Sequence, residues 1–324
     1  MASRRLSLPR TFLSLILLAS VAASGYADEP DGVLSSYRLR FGLGADLLWG
    51  VAEEIVYQGP SDRTLLSLLL WPMKPLALIG GEMNLYNDAA RRSPYLRLSA
   101  DASPPMHSGT MEDFDWLGAS PDPTHYSFHE NYTERFSSLR LELGLRLNSP
   151  NGFSVLPYAG GRLHAAYWSA RDGYTVYPPD YQPLAVQGTG ISYELRLLAL
   201  SLGLGLELRP SAALSLAWRF ELMPLVDVRA VDNHYLRDAI FEDYVYGSVG
   251  LSFGLDARLA LSRSARLGFV ASFLTIGGGR GDTIHRSTAD PDIQPPPVVG
   301  IYYGQAGFAM TALSAGFRLH AALP

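Results

Sequence analysis

Two short stretches hold residues that could act on water together. Met111–Trp116 reads Met-Glu-Asp-Phe-Asp-Trp and sets two carboxylates, Asp113 and Asp115, two positions apart. In extended backbone the side chains at i and i+2 share a face, so both acids point the same way. Carboxylates that close cannot both ionise freely, and one proton tends to be held between them. Val231–Tyr235 reads Val-Asp-Asn-His-Tyr and places Asp232 and His234 at the same spacing. An acid that orients an imidazole, and an imidazole that takes a proton from water, form the general-base half of a hydrolase. Each pattern alone is ordinary. An Asp-x-Asp is more often a solvated turn, and an Asp-x-His more often a surface hydrogen bond. The chemistry requires that the chain bring the two stretches together.

The elements that could do so are long alternating strands. From Tyr37, residues Tyr37, Leu39, Phe41, Leu43, Ala45, Leu47, Trp49 and Val51 alternate with Arg38, Arg40, Gly42, Gly44, Asp46, Leu48, Gly50 and Ala52. Leu139, Leu141, Leu143, Leu145 and Leu147 interleave in the same way with Arg140, Glu142 and Arg146. Strands of soluble sandwiches are usually much shorter, about 5–6 residues. Charges buried in a sandwich core are costly. Charges lining a barrel lumen, with the apolar face turned to lipid, are ordinary. The pattern predicts an all-β chain of ten antiparallel strands, roughly 36–57, 63–88, 95–110, 133–148, 152–172, 189–209, 212–231, 243–262, 265–280 and 303–320. Pro72 and Pro75 predict a bend in the second strand, and a phase change between Leu197 and Leu200 predicts a bulge in the sixth. Short connectors (148–152, 209–212, 262–265) alternate with long ones (111–132, 173–188, 232–242, 281–302), as in an outer-membrane barrel. A bilayer needs only about 9–11 residues per tilted strand. Several strands here are nearly twice that, so the excess predicts a tall extracellular rim. Asp113 and Asp115 follow the third strand and Asp232 and His234 close the seventh, which sets both pairs on that rim.

Composition agrees with export. Residues 1–27 read as a signal peptide: Arg4, Arg5 and Arg10, then the apolar stretch 12–22, then Gly25-Tyr26-Ala27 as a cleavage site. Residues 28–324 are then the barrel domain. Cleavage leaves 23 basic and 31 acidic residues, a net charge of −8. An acidic chain is a poor nucleic-acid binder, so that class is set aside. With no cysteine, a disulfide scaffold is excluded. A closed barrel has no edge that demands a partner, which predicts a monomer.

At this point the chain resembles the omptin family, the ten-stranded outer-membrane proteases. The resemblance is carried by Gly42-Leu43-Gly44 through Glu54-Ile55-Val56-Tyr57, by Ser67-Leu68-Leu69-Leu70-Trp71, by Met111–Trp116, by His125 followed by Asn131-Tyr132, and by Asp232-Asn233-His234-Tyr235. It implies a transmembrane barrel of the omptin type in the cell outer membrane, with its site facing the extracellular side. It implies an aspartyl endopeptidase without metal or other cofactor. Asp113 and Asp115 match the paired acids of the family, and Asp232 and His234 its dyad. Together they would activate a water for direct attack on a peptide bond. The family prefers basic residues at the cleaved bond and uses acids beside the dyad to bind them. Glu54 matches one of these. Ala230 stands where the second would be, which weakens a strict Arg/Lys preference. Lipopolysaccharide is implied as an activator, but only Tyr158 and Arg162 of the family's Tyr-x-Glu-x-Arg are kept, with Gly160 in the place of the Glu.

Other candidates are weighed against plainer roles. His125 and His129 read as loop hydrogen-bonding residues. Arg280-Gly281-Asp282 is an adhesive tripeptide by sequence, and such tripeptides occur often by chance. His285, Asp290 and Asp292 sit among Pro291 and Pro295–Pro297 and read as a stiff, solvated loop, without a metal-binding ligand set. Trp49, Trp71, Tyr167, Trp168 and Trp218 are candidate interfacial anchors. The alternative function is a catalytically silent barrel of the same type, acting as an adhesin or host-protein binder. A diffusion pore is disfavoured, because Arg140, Glu142, Arg146, Glu194, Arg196, Arg219 and Glu221 read as lumen charges of both signs that would plug a barrel this narrow.

Overall fold

The computed structural model describes residues 37–322 apart from 88, 119, 120, 179 and 180. The predicted signal peptide lies outside these residues. The strands are β1 (Arg38–Tyr57), β2 (Leu65–Tyr86), β3 (Arg92–Ser103), β4 (Met106–Asp115), β5 (His125–Asn148), β6 (Phe153–Val176), β7 (Pro183–Ala185), β8 (Thr189–Leu208), β9 (Leu214–His234), β10 (Ala239–Ala260), β11 (Ala265–Gly277), β12 (Arg280–Ser287) and β13 (Val298–Ala322). β3 and β4 are two lengths of one stave, as are β11 and β12, and β7 is a short flap on the tip of β6. Ten antiparallel staves remain, and they close because β1 pairs with both β2 and β13. Closure leaves no open sheet edge, which lets a sheet cross lipid with every backbone group paired.

The outer wall carries the band that the alternation predicts. Leu43, Leu47 and Trp49 on β1, Leu200 and Leu202 on β8, Phe220, Leu222 and Leu225 on β9, Val249 and Leu251 on β10, and Phe317 and Leu319 on β13 are all exposed. Inside this band the lumen is a charge network. Glu82 meets Arg97 at 2.6 Å, Arg318 at 3.3 Å and Arg258 at 3.4 Å. Glu142 meets Arg140 at 3.1 Å and Arg97 at 3.3 Å, while Glu221 pairs with Arg140 and Arg162. These pairs plug the barrel between the staves.

Above the band the inside changes character. Trp71, Met73, Trp168, Leu195, Met223, Val228, Phe308 and Met310 pack there as an apolar core. Trp71 stacks on Tyr193 with centroids 5.2 Å apart and planes 7° from parallel, and Trp168 lies 5.9 Å from Tyr193 and 6.2 Å from Trp71. Trp71 and Trp168 are therefore core residues, not interfacial anchors. They can be buried because above the band the outer wall meets no lipid and the apolar residues gain most by turning inward. Glu194 and Arg196 show the other half of the same inversion. Expected in the lumen, they point outward, Arg196 pairing with Glu194 at 2.6 Å, because Tyr193, Leu195 and Leu197 hold the inner positions.

A girdle of bulges marks the boundary. Register shifts fall between Leu48 and Gly50 against β2, between Thr133 and Arg135 against β6, between Leu200 and Leu202 against β9, and between Val245 and Ser248 against β9. Each extra residue swaps inner and outer positions along its strand. On β5, Phe136, Glu142 and Arg146 face inward below the bulge, and Ser127, His129, Asn131 and Thr133 face inward above it. The bend expected at Pro72–Pro75 is one of these shifts. The bulge expected between Leu197 and Leu200 is not on β8, which keeps its odd positions inward throughout; the extra residue is on β9, where 222–225 face Leu200–Leu202.

The staves are longer than the alternation indicated, and the connectors shorter. The long connector expected over 111–132 is only the stretch 116–124, that over 232–242 only the four-residue turn 235–238, and that over 281–302 only 288–297. The rim is thus continuous sheet. Its residues stand on rigid strands and not on loops.

Candidate active site

Asp113 and Asp115 lie on the last turn-free stretch of β4, not beyond its end, and both are buried on the inner face. The tilted strand pairs Asp113 with Leu69 of β2 and Ser127 of β5. Leu69 in turn pairs with Glu54 of β1, and Glu54 with Phe308 of β13. Asp113 and Glu54 therefore share one row around the rim, a single strand apart. Asp232 and His234 are likewise the last inward positions of β9, flanked by Tyr193 and Ile191 of β8 and by Phe241 and Ala239 of β10. All these positions lie nearer the rim ends of their strands than the upper members of the apolar band: Trp49 on β1, Leu225 on β9 and Val249 on β10.

The two halves meet. Asp113, His234, Ser127, His129 and Arg237 line one cavity of about 380 Å³ at the mouth. Arg237, from the β9–β10 turn, reaches Asp115 at 3.6 Å and donates to the Tyr177 hydroxyl at 2.9 Å. His234 Nε2 and Asp232 Oδ2 are 2.5 Å apart. The His234 ring meets Phe241 edge-on, and Phe241 stacks on His285 at 4.6 Å.

The electrostatics fit a site for moving protons. Burial and the neighbouring Asp115 carboxylate push Asp113 up to about 7 from the ordinary 3.8, against the pull of His234 and Arg237. Its oxygens are held only by long contacts from the Ser67 and Ser127 hydroxyls, each at 3.4 Å. Burial alone would lower His234, but attraction to Asp232, their hydrogen bond and Asp113 outweigh it, so the imidazole titrates above its ordinary 6.5. Burial raises Glu54 well above the usual carboxylate range, reinforced by Asp232, Asp243 and Asp113. Such opposed shifts within one cleft are the mark of acid–base work.

A family model described as the Omptin family matches residues 35–310. The chain belongs to the omptin family. The Escherichia coli outer membrane protease OmpT has a similar structure, with a TM-score of 0.80 at 16% identity, covering 91% of this omptin and 99% of that chain. At that identity the likeness is one of fold. The translocator domain of the autotransporter NalP from Neisseria meningitidis gives a TM-score of 0.36 at 10% identity, covering 95% of each chain. The transport unit of the autotransporter AIDA-I from Escherichia coli gives 0.35 at 9%, covering 94% of this chain and 96% of that one. No curated protein matches.

Several residues of this omptin stand elsewhere than the sequence indicated. His125 and His129 are on β5, not in a loop. His129 does hydrogen-bond, through Nδ1 to the Asp172 carbonyl at 2.5 Å, yet it also lines the cavity of Asp113 and His234. His285 belongs to β12 and to the aromatic wall beside the dyad. Tyr158 and Arg162 are buried in the lumen against Arg140 and Glu221, so their spacing makes no lipid-facing site. Asp243 and Arg237 were not singled out from sequence. Once the turn 235–238 is located, antiparallel pairing brings Asp243 opposite Ala230, so the signal was the tight turn itself.

The Arg280-Gly281-Asp282 tripeptide is not displayed. The Arg280 guanidinium lies over the Tyr57 ring at 3.7 Å and donates to the carbonyls of Gly59, Pro60, Asp62 and Gly304, while Asp282 accepts from the Gly304 N–H at 2.9 Å. It ties the β1–β2 loop to β12 and β13. Arg280→Ala should therefore free residues 58–64. Hydrogen bonds from a charged donor contribute about 1.5–3 kcal/mol, so amide exchange there should speed up roughly 10–100-fold while the site strands stay protected.

Arg237 allows a second check. It lowers both Asp113 and His234. Its side chain is part-exposed, and such pairs are worth about 0.2–1 kcal/mol, so Arg237→Ala should cost no more than about fivefold in activity. The acid limb of the pH profile should move to higher pH, because both groups lose a positive neighbour. A limb that stays in place would mean that Arg237 is electrostatically idle.

Proposed function

We propose that this omptin is an outer-membrane endopeptidase that opens to the outside of the cell and cuts peptides or proteins near basic residues. One observation supports the reading most: Asp113 of the acid pair and His234 of the dyad, from β4 and β9, line a single cavity, and Arg237 on its wall reaches Asp115. His234, oriented by Asp232, takes a proton from a water held between it and Asp113. The hydroxide adds to the scissile carbonyl, and the carbonyl π electrons move onto oxygen. Asp113, raised to about 7 by burial and by Asp115 and so part-protonated at neutral pH, donates its proton to that oxyanion. Collapse of the tetrahedral species reforms the carbonyl, returns that proton to Asp113 and breaks the C–N bond, and the proton held by His234 passes to the leaving amine. No acyl-enzyme forms, and none of these steps calls on a metal.

The test is a fluorogenic peptide with a central Arg-Arg, given to the protein folded in detergent or lipid, with and without lipopolysaccharide. Cleavage between or beside the arginines that persists in chelator and in serine-protease inhibitor is the expected result. A gain on adding the lipid would make lipopolysaccharide an activator. An intact peptide together with measurable host-protein binding would replace the reading with a silent binding barrel. The engaged state of Arg280 and Asp282 already leaves that alternative without its adhesive tripeptide.

A further inference from the structure

Ala230 occupies the position where the resemblance calls for a second pocket acid, yet the pocket is not short of carboxylates. Ala230 of β9 pairs directly with Asp243 of β10. Residues paired across an antiparallel ladder project to the same side, with Cβ atoms about 4.5–5.5 Å apart. Asp243 is indeed buried on the inner face, one pair below Asp232 and Phe241. Glu54 approaches from the opposite side through the row it shares with Asp113.

Three features point to a cation-binding site. Glu54 is 2% exposed, and its Oε2 has no hydrogen-bond partner. Among the described residues no arginine or lysine forms an ion pair with Glu54, Asp232 or Asp243, whereas Glu82, Glu142 and Glu221 in the lumen each hold at least two arginines. Buried carboxylates without a counter-charge are costly, and a binding site is where that cost is tolerated. The shape is also wrong for a small metal ion. Among the described residues the one trio whose ligand atoms converge within 4.8 Å is Glu82, Asp256 and His320, far down the lumen and already filled by arginines. Carboxylates set more widely, beside the buried Trp71–Tyr193 stack, suit a guanidinium or ammonium group better than a compact ion.

We propose that Glu54 and Asp243 are the two acidic walls of the subsite that takes the basic side chain next to the cleaved bond, Asp243 supplying from β10 the carboxylate that Ala230 lacks on β9. This rests on the protease reading for its purpose, but not for its test. The occupant is a guanidinium or ammonium group, held between two carboxylates. Preference for a basic residue is therefore retained in spite of Ala230, contrary to what the sequence alone indicates.

The experiment measures binding of arginine amide and of its neutral isostere citrulline amide to the detergent-folded protein by calorimetry. Arginine amide should bind and citrulline amide should bind at least tenfold more weakly. Asp243→Asn and Glu54→Gln should each weaken arginine amide roughly 10–100-fold, as expected for loss of one charge-assisted contact, and leave citrulline amide unchanged. The double variant Ala230→Asp/Asp243→Ala, which moves the acid back to β9, should recover most of the affinity. It also separates a lost contact from a lost fold. The proposal is overturned if the two amides bind alike, if neither binds, if Asp243→Asn binds arginine amide as the unaltered protein does, or if excess calcium displaces the amide. Cleavage of the Arg-Arg peptide is followed on the same samples. Cleavage with unchanged preference in Asp243→Asn would keep the protease and discard the subsite. Binding lost in Asp243→Asn, with no cleavage by the unaltered protein, would keep the subsite and discard the protease.

Discussion

His234→Ala should lower kcat/KM for a peptide with a central Arg-Arg by about 10²–10⁴-fold, the usual worth of a positioned general base. The expectation follows from how completely the imidazole is committed. Its Nε2 is bonded to Asp232, its ring is fixed edge-on by Phe241, and its remaining nitrogen is left for the cavity that Asp113 also lines. KM should change little, because the proposed basic-residue subsite lies on Glu54 and Asp243. The sign of the pH dependence follows as well. A base works only when neutral, and His234 is held above its ordinary 6.5. Activity should therefore rise with pH through a midpoint above 6.5, be lost below it, and fall again at higher pH as Asp113, which titrates at about 7, gives up the proton it must donate. In His234→Ala the acid limb should vanish from the residual rate. A profile that keeps that limb, or a loss of only a few-fold, would remove His234 from the mechanism.

The same argument extends to the acid pair. Asp113→Asn removes the proton donor while preserving its shape, and the two half-sites act on one water. Residues that act as a unit lose activity non-additively. The double variant Asp113→Asn/His234→Ala should then be little worse than the poorer single variant. Multiplying losses would mean that the two sides of the mouth work independently.

The lower half of this barrel was legible in the sequence and the upper half was not, for one physical reason. In the apolar band, lipid outside and charge inside make a strict two-residue alternation, so β1 could be placed from Tyr37 to within a residue or so of its end. Above the band the solvent outside is water. Trp71, Trp168 and Tyr193 turn inward, and Glu194 and Arg196 turn outward. The bulges then shift the phase as well, at Thr133–Arg135 on β5 and near Pro224 on β9. Inverted polarity plus a slipped phase reads as loop, so the residues 125–132 were placed outside the sheet. The candidate site survived because its spacing is local. Asp113 with Asp115, and Asp232 with His234, need only two residues of extended backbone each. Asp243 was missed because its role depends on which residue lies opposite Ala230, and that is fixed by a turn no alternation reveals.

The second large effect belongs to stability. Glu82→Ala should cost about 3–5 kcal/mol, the range for removing one partner of a buried ion pair. Its side chain has no exposure and faces Arg97, Arg258 and Arg318, with His320 at 3.4 Å. Removal does not simply delete attractive contacts. It leaves three guanidinium groups confined together, with Glu142, Asp256, Asp46 and Asp101 as their remaining counter-charges. The partial compensation by those acids sets the lower bound. So does water, because a cavity of about 140 Å³ borders Arg97 and Arg318 and gives the freed charges somewhere to hydrate. Glu82→Gln should fall between the unaltered protein and Glu82→Ala, since an amide still accepts from Arg97 but carries no charge. Urea unfolding of the three proteins in the same detergent gives the comparison. Equal midpoints for all three would mean that lumen water already screens these pairs, and that the backbone ring, not the charge network, keeps the barrel from opening.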